Sequence, residues 1–203
     1  MRKLVVLSLV FILFVSYLFH QSVKKNNDFK ESIVTPSPTL STTCSGKALP
    51  ELTEGPLYKD GSPNRQVIRE DDSVGTKLTL EGYVFDTTCQ PIISAWIAFW
   101  QADGKGEYDM VGYRLRGYQY TDDKGRYKLI TVVPGLYPTR TEHIHFRIKP
   151  TPTSKLIISQ LFLPNGSRNL TDSIFDKSLV INMTDAPDGD GKYATYNFIV
   201  ERK

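Results

Sequence analysis

Histidine and cysteine are scarce in this chain of 203 residues, at three and two copies. Both scarcities narrow the chemistry. Beyond His20 the only imidazoles are His143 and His145, and neither Cys44 nor Cys89 is spaced like a metal ligand. Patterned basic charge is missing too. The formal net charge is +3, yet residues 1–35 hold five Lys or Arg and two acids, and removing these from the totals of 25 and 22 leaves 20 basic and 20 acidic groups. Without a cationic stripe there is no electrostatic case for a nucleic-acid partner. A chain of this length that is 40 % hydrophobic builds one core, not two full domains.

Long apolar runs are absent with one exception. Met1, Arg2 and Lys3 precede an almost unbroken apolar stretch from Leu4 to Phe19, which reads as a signal peptide or signal anchor over residues 1–21. A span needs about 17–25 apolar residues, so this stretch is at the lower limit, and both cleavage and membrane attachment stay open. No small-x-small site follows it, which leans towards retention, and the lack of a twin arginine gives no support to transport in a folded state. The expected location is outside the cytoplasm: secreted, periplasmic or membrane-anchored. An even cysteine count in an exported chain suggests a disulfide between Cys44 and Cys89, the alternative being two unpaired, partly buried thiols. Closing a loop of about 45 residues would stabilise the fold by about 4 kcal/mol in the chain-entropy model.

Residues 22–50 are rich in Ser, Thr, Pro, Lys and Asn without hydrophobic periodicity, the composition of a flexible linker. The domain is expected over 51–203. Strand patterns run over Lys77 to Asp86, Ile92 to Trp100, Arg126 to Val133, His143 to Lys149, Lys155 to Leu163 and Lys192 to Val200. Turn residues punctuate them at Asp103-Gly104, Asp122 to Gly125, Pro134-Gly135, Pro164 to Gly166 and Asp188 to Gly191. Short strands with turns between them predict an all-β fold, an antiparallel β-sandwich, with one short surface helix over Asp172 to Leu179. Sequons beginning at Asn165, Asn169 and Asn182 permit glycosylation without predicting it.

His143 and His145 flank one isoleucine in a strand-like run. Alternation turns both imidazoles to one face, with Cα atoms about 6.6 Å apart, so that two ring nitrogens can converge on one ion. Taken alone, such a pair is more often a polar sheet face than a metal site. Arg140 lies three residues before His143, and Tyr137 three before that, between Pro134-Gly135 and Pro138. Prolines fix the backbone there and leave it little regular hydrogen bonding, which suits a side chain aimed into a site; for an isolated turn tyrosine, plain aromatic packing at a sandwich edge is the commoner explanation. Trp96 and Trp100 read as packing.

Around these residues the chain resembles the intradiol ring-cleavage dioxygenases, the group of protocatechuate 3,4-dioxygenase and catechol 1,2-dioxygenase. The resemblance runs through Glu54-Gly55-Pro56-Leu57-Tyr58, Trp100-Gln101-Ala102-Asp103 with Gly106, Tyr108 and Asp109, Arg116-Gly117, Thr121-Asp122, Pro134-Gly135 with Tyr137-Pro138, Arg140, His143-Ile144-His145-Phe146 and Gln160-Leu161-Phe162. It implies one non-haem Fe(III) per chain held by Tyr108, Tyr137, His143 and His145, a charge-balanced set because two phenolates and a hydroxide offset the 3+ ion. It also implies a catechol substrate and O2, release of Tyr137 as a neutral phenol that takes a substrate proton, and a cis,cis-muconate-type diacid product. Arg140 matches the family's active-site arginine, a permanent cation suited to stabilising developing negative charge. Gln160 matches a pocket glutamine, and Leu57, Tyr58 and Asp109 match pocket-lining positions; a satisfied core amide explains Gln160 almost as well.

The stretch from Tyr137 to His143 is shorter than in protocatechuate dioxygenase subunits, and the helical region that precedes the domain in catechol and hydroxyquinol enzymes has no counterpart, which leaves the particular catechol open. Homo-oligomerisation also stays open. The rival from another class is a non-catalytic transthyretin-like module binding a ligand or protein outside the cytoplasm. A zinc hydrolase built on the two histidines is the weakest alternative, since no third histidine or positioned carboxylate follows at hydrolase spacing.

Overall fold

The computed structural model describes residues 40–202 except Pro56. The expected export segment and most of the expected linker therefore lie outside the described residues. Among the described residues there are nine strands: β1 (Lys77–Asp86), β2 (Trp96–Gln101), β3 (Arg116–Tyr120), β4 (Arg126–Val132), β5 (His143–Lys149), β6 (Ile157–Phe162), β7 (Asn182–Asp185), β8 (Lys192–Thr195) and β9 (Phe198–Val200). The helix expected over 172–179 is reduced to a 3-10 turn, Lys177–Leu179. Asp172 and Asp176 spend their carboxylates on the nearby amides of Ile174 and Ser178, local bonds that compete with a regular helix.

The strands form two sheets. One is fully antiparallel, in the order β3-β2-β5-β6; the other has the order β4-β1-β8-β7, with β9 also pairing with β1. The expectation of a purely antiparallel sandwich needs correction in the second sheet, where β8 and β9 run parallel to β1. The single strand expected over Lys192 to Val200 is interrupted at Tyr196 and Asn197, which bond to β1 through Tyr196 N to Glu81 O (3.1 Å) and Tyr83 N to Asn197 Oδ1 (3.1 Å). Gly82 is required at this crossing, since a methyl group there would stand 1.8 Å from Tyr196 O.

Alternation sends Leu78, Leu80 and Val84 of β1, Ile97 and Phe99 of β2, and Ile144, Phe146 and Ile148 of β5 into one shared core. Aromatic rings join the sheets, Phe146 lying 4.6 Å and Phe99 6.4 Å from Phe198 between ring centres. Such pairs add about 0.5–1.5 kcal/mol each beyond their buried area.

The boundary between linker and domain also needs correction. Residues 40–50 are fastened to the sandwich: Leu49 N donates to Ile199 O (2.9 Å), Ser159 Oγ to Pro50 O (2.7 Å), and Asn197 Nδ2 to the carbonyls of Ser41 and Thr43. Cys44 and Cys89 are joined by a disulfide, with Cα atoms 5.7 Å apart. These contacts hold residues 41–50 to the sandwich rather than leaving them a free linker. Backbone pairing to strand edges and a covalent link hold this segment, and neither leaves a hydrophobic period in the sequence.

The outer face of the antiparallel sheet carries Arg116, Tyr118 and Tyr120 from β3, Trp96, Ala98 and Trp100 from β2, His143, His145, Arg147 and Lys149 from β5, and Gln160 from β6. At the end with His145, loops cover this face, and Trp100, Arg116, His143, His145 and Gln160 are buried on the side away from the core. At the other end Trp96, Tyr118, Tyr120 and Lys149 line an open groove of about 540 Å³.

Candidate metal centre

Register places four side chains in a row across the antiparallel sheet: Arg116 pairs with Trp100, Trp100 with His145, and His145 with Gln160. His143 is two residues from His145 on the same face, and their Nε2 atoms are 3.0 Å apart. His143 Nδ1 lies 2.6 Å from Thr141 O. A carbonyl only accepts, so the proton is on Nδ1 and the Nε2 lone pair is free. Trp100 stacks on His145 at 4.7 Å with the rings 6° from parallel. Trp100 is therefore a wall of the site rather than core packing, which only the strand register could reveal.

Tyr108 and Tyr137 arrive on two loops. Gly135 N donates to Asp103 O (2.7 Å) and Gly106 N to Asp103 O (3.0 Å). A Cβ at Gly106, whose φ is +85°, would stand 1.9 Å from Leu136 O, and one at Gly135 would stand 2.5 Å from Gly104 O. Only two glycines allow this backbone contact, and the contact brings the tyrosine rings edge to face at 5.6 Å, with Tyr108 6.4 Å from His145.

Arg140 and Gln160 meet at the same place. Arg140 Nη2 donates to Gln160 Oε1 (2.7 Å), and Gln160 Nε2 donates to Thr53 O (3.0 Å), tying in the segment that carries Gly55. A methyl group at Gly55 would lie 3.6 Å from His145 Cε1. Arg140 Nε donates to Asp172 Oδ2 (2.7 Å), a carboxylate that the sequence did not mark because it belongs to a distant loop.

The three pocket-lining candidates separate. Tyr58 packs edge-on against Trp100 at 5.0 Å beneath the guanidinium of Arg147, which is 3.2 Å from its ring centre. Leu57 contributes its carbonyl, which accepts from Arg116 Nη1 (2.7 Å). Asp109 turns to its own loop, its carboxylate accepting from the amides of Val111, Gly112 and Arg114; the Arg114 amide leads in holding its pKa down to about 2. Arg116, also not foreseen as part of the site, is 2 % exposed, bonds to the carbonyls of Leu57 and Asp109, and faces the Tyr108 ring at 5.8 Å.

Burial governs the electrostatics. It lowers the pKa of His143 to about 4, with Arg140 adding to the shift and the bond to Thr141 opposing it. Burial, then His143 and the arginines, hold His145 well below its usual range. Both rings are neutral at pH 7, the state in which imidazole binds metals. Burial drives the Tyr108 phenol far upward despite Arg116, so without a metal ion beside it the phenol keeps its proton. Two lone pairs facing at 3.0 Å need a proton or a cation between them. Among the described residues no three His, Cys, Asp or Glu side chains cluster, so the oxygen donors within reach of the histidines are phenols.

A family model described as "Dioxygenase" matches residues 53–201. The protocatechuate 3,4-dioxygenase beta chain of Burkholderia cepacia is 28 % identical over 138 residues, 60 % of this chain and 58 % of the relative. The chain spans 32–60 % of the length of the curated relatives it matches. Among solved structures, the dioxygenase domain of a dioxygenase carbohydrate-binding protein fusion from the cellulolytic bacterium Streptomyces sp. SirexAA-E is 39 % identical with a TM-score of 0.74, covering 77 % of this chain and 100 % of that one. An intradiol ring-cleavage dioxygenase from Tetranychus urticae is 27 % identical with a TM-score of 0.68, covering 77 % and 95 %. With a family model matched along nearly the whole sandwich, this chain belongs to the intradiol ring-cleavage dioxygenase family.

Proposed function

We propose that the chain is a non-haem iron(III) dioxygenase that opens a catechol-type diol between its two hydroxyl-bearing carbons, both atoms of O2 entering a cis,cis-muconate-type diacid. The observation that carries this reading is the convergence of the His143 and His145 nitrogens, 3.0 Å apart, beneath the paired rings of Tyr108 and Tyr137. One ferric ion per chain, held by these four residues, would supply the positive charge that ionises phenols and makes a bound catecholate reactive at carbon. Thr141 keeps the His143 proton on Nδ1 and so keeps Nε2 available. Tyr137 Oη takes a hydroxyl proton from the diol and keeps it as a neutral phenol. Arg140, fixed by Gln160 and Asp172, sets a permanent positive charge beside the substrate. Gly55 and Tyr58 border the ring's space, Leu57 holds Arg116 through its carbonyl, and Trp100 shields His145 from water. The binding-module reading leaves the converging histidines and the fixed arginine unexplained.

We place the enzyme outside the cytoplasm, secreted, periplasmic or anchored, on the strength of the apolar stretch Leu4 to Phe19 and the Cys44–Cys89 disulfide. The chain loaded with ferric iron should be wine-red, and Tyr108→Phe or Tyr137→Phe should shift or remove the colour. Oxygen uptake against a panel of catechols should yield a ring-opened diacid. A colourless protein with stoichiometric zinc, or uptake without diacid, would sink the assignment.

A further inference from the structure

Three of the proposed site residues, Tyr137, Arg140 and His143, lie on one seven-residue segment, and the loop 164–176 grips that segment at each of its turns. Arg168 Nη1 donates to the carbonyls of Tyr137 (3.1 Å) and Pro138 (2.7 Å). Asn169 Oδ1 is 2.7 Å from Thr141 Oγ1, and its Nδ2 donates to Leu163 O (3.0 Å). Asp172 accepts twice at Oδ2, from Arg140 Nε (2.7 Å) and from Thr141 N (2.9 Å), while Oδ1 accepts from Ile174 N (3.1 Å). Its side chain is fully buried.

We infer that Asp172 is a positioning residue that sets two members of the site at once, the direction of the Arg140 guanidinium and, through the backbone of Thr141, the tautomer of His143. Residue 141 is the link. Its N–H is held by Asp172, and its carbonyl, on the next peptide plane, receives the His143 Nδ1 proton. Holding the N–H restricts how far the backbone at residue 141 can turn that acceptor away, and with it the Nε2 lone pair. A carboxylate suits this task better than an amide: every neighbour is a donor, one of them a cation, and a buried carboxylate satisfied by charge-assisted and backbone bonds is held in one orientation. Asn169 is committed to the same brace, so its sequon is not free for modification while the loop is in place.

The inference rests on the iron-site reading for its meaning, but its test does not need iron. In the metal-free full chain, nitrogen NMR of wild type should show His143 as a single Nδ1–H tautomer and the Arg140 Nε proton protected from exchange. Asp172→Asn and Asp172→Ala should mix the His143 tautomers and release the Arg140 proton, with His145 far less affected. Ferric iron should then bind 10–100-fold more weakly, the usual cost of losing a supporting residue, and kcat on catechol should fall more than KM changes. Asp176→Ala, which removes the cap of the adjacent 3-10 turn, serves as control: it should cost stability alone. If folded Asp172→Asn keeps the wild-type His143 tautomer and iron affinity, Asp172 only anchors its loop and the inference fails. Should neither variant fold, free exchange of the Arg140 Nε proton in wild type would overturn it equally. Absence of ring cleavage with the NMR result intact would instead discard the dioxygenase reading and leave the brace standing.

Discussion

His143 and His145 stand on β5, hydrogen-bonded to β2 on one side and β6 on the other, whereas Tyr108 and Tyr137 hang on loops that meet through glycine backbone. The strand holds its two nitrogens at a separation that pleat and register dictate. The loops hold theirs by close approach at Gly106 and Gly135, contacts that a single methyl group would disrupt. The contrast suits the proposed chemistry, in which the histidines stay fixed and one tyrosine leaves to carry a proton.

The largest expected effect tests the rigid half. His145→Ala should reduce iron affinity well beyond the 10–100-fold that a supporting residue costs, and metal titration of the refolded chain measures it. Next comes acid stability of the metal-free protein. His143 has a folded pKa of about 4 against 6.5 ordinarily. Above pH 6.5 neither state binds its proton; between 6.5 and 4 only the unfolded chain does, so stability should fall by about 3 kcal/mol across that window and level off below it. His145 acts in the same direction. Denaturant midpoints from pH 7 to 4 would show this slope, and His143→Ala should reduce it to the part that His145 contributes.

The loop half should respond differently. Gly106→Ala forces a side chain into φ +85° against Leu136 O and should cost about 1–3 kcal/mol, removing the iron colour while the His143 tautomer stays unchanged. Loss of that tautomer too would mean that the two halves are not independent. Smallest in stability is Tyr137→Phe, within about 0.5 kcal/mol by thermal unfolding, yet it should slow turnover severely while iron remains bound.

Much of the site was legible because its pieces are local. His-x-His needs only the two-residue period of a strand, and the Pro-Gly-x-Tyr-Pro turn carries its constraint in its own residues. The strands of Lys77 to Asp86 and His143 to Lys149 were read to the residue, since one face of each is regularly apolar. β3 and β7 went unread: Arg116–Tyr120 and Asn182–Asp185 are short and carry no apolar alternation, so only their pairing marks them as strands. Asp172 and Arg116 escaped for a related reason. An aspartate in a turn-rich loop and an arginine before a glycine look like surface charges until folding buries them.

Composition, the two-residue period and turn chemistry thus determined by themselves an all-β domain, its principal strands, and a histidine pair on one face. The tertiary structure alone decided that β8 and β9 run parallel to β1, that residues 40–50 are fastened to the domain, and that Trp100, Arg116 and Asp172 surround the histidines. Periodicity is a property of neighbours in the chain, whereas the wall, the buried cation and the brace depend on register between strands and on loops brought together from 20 to 60 residues away.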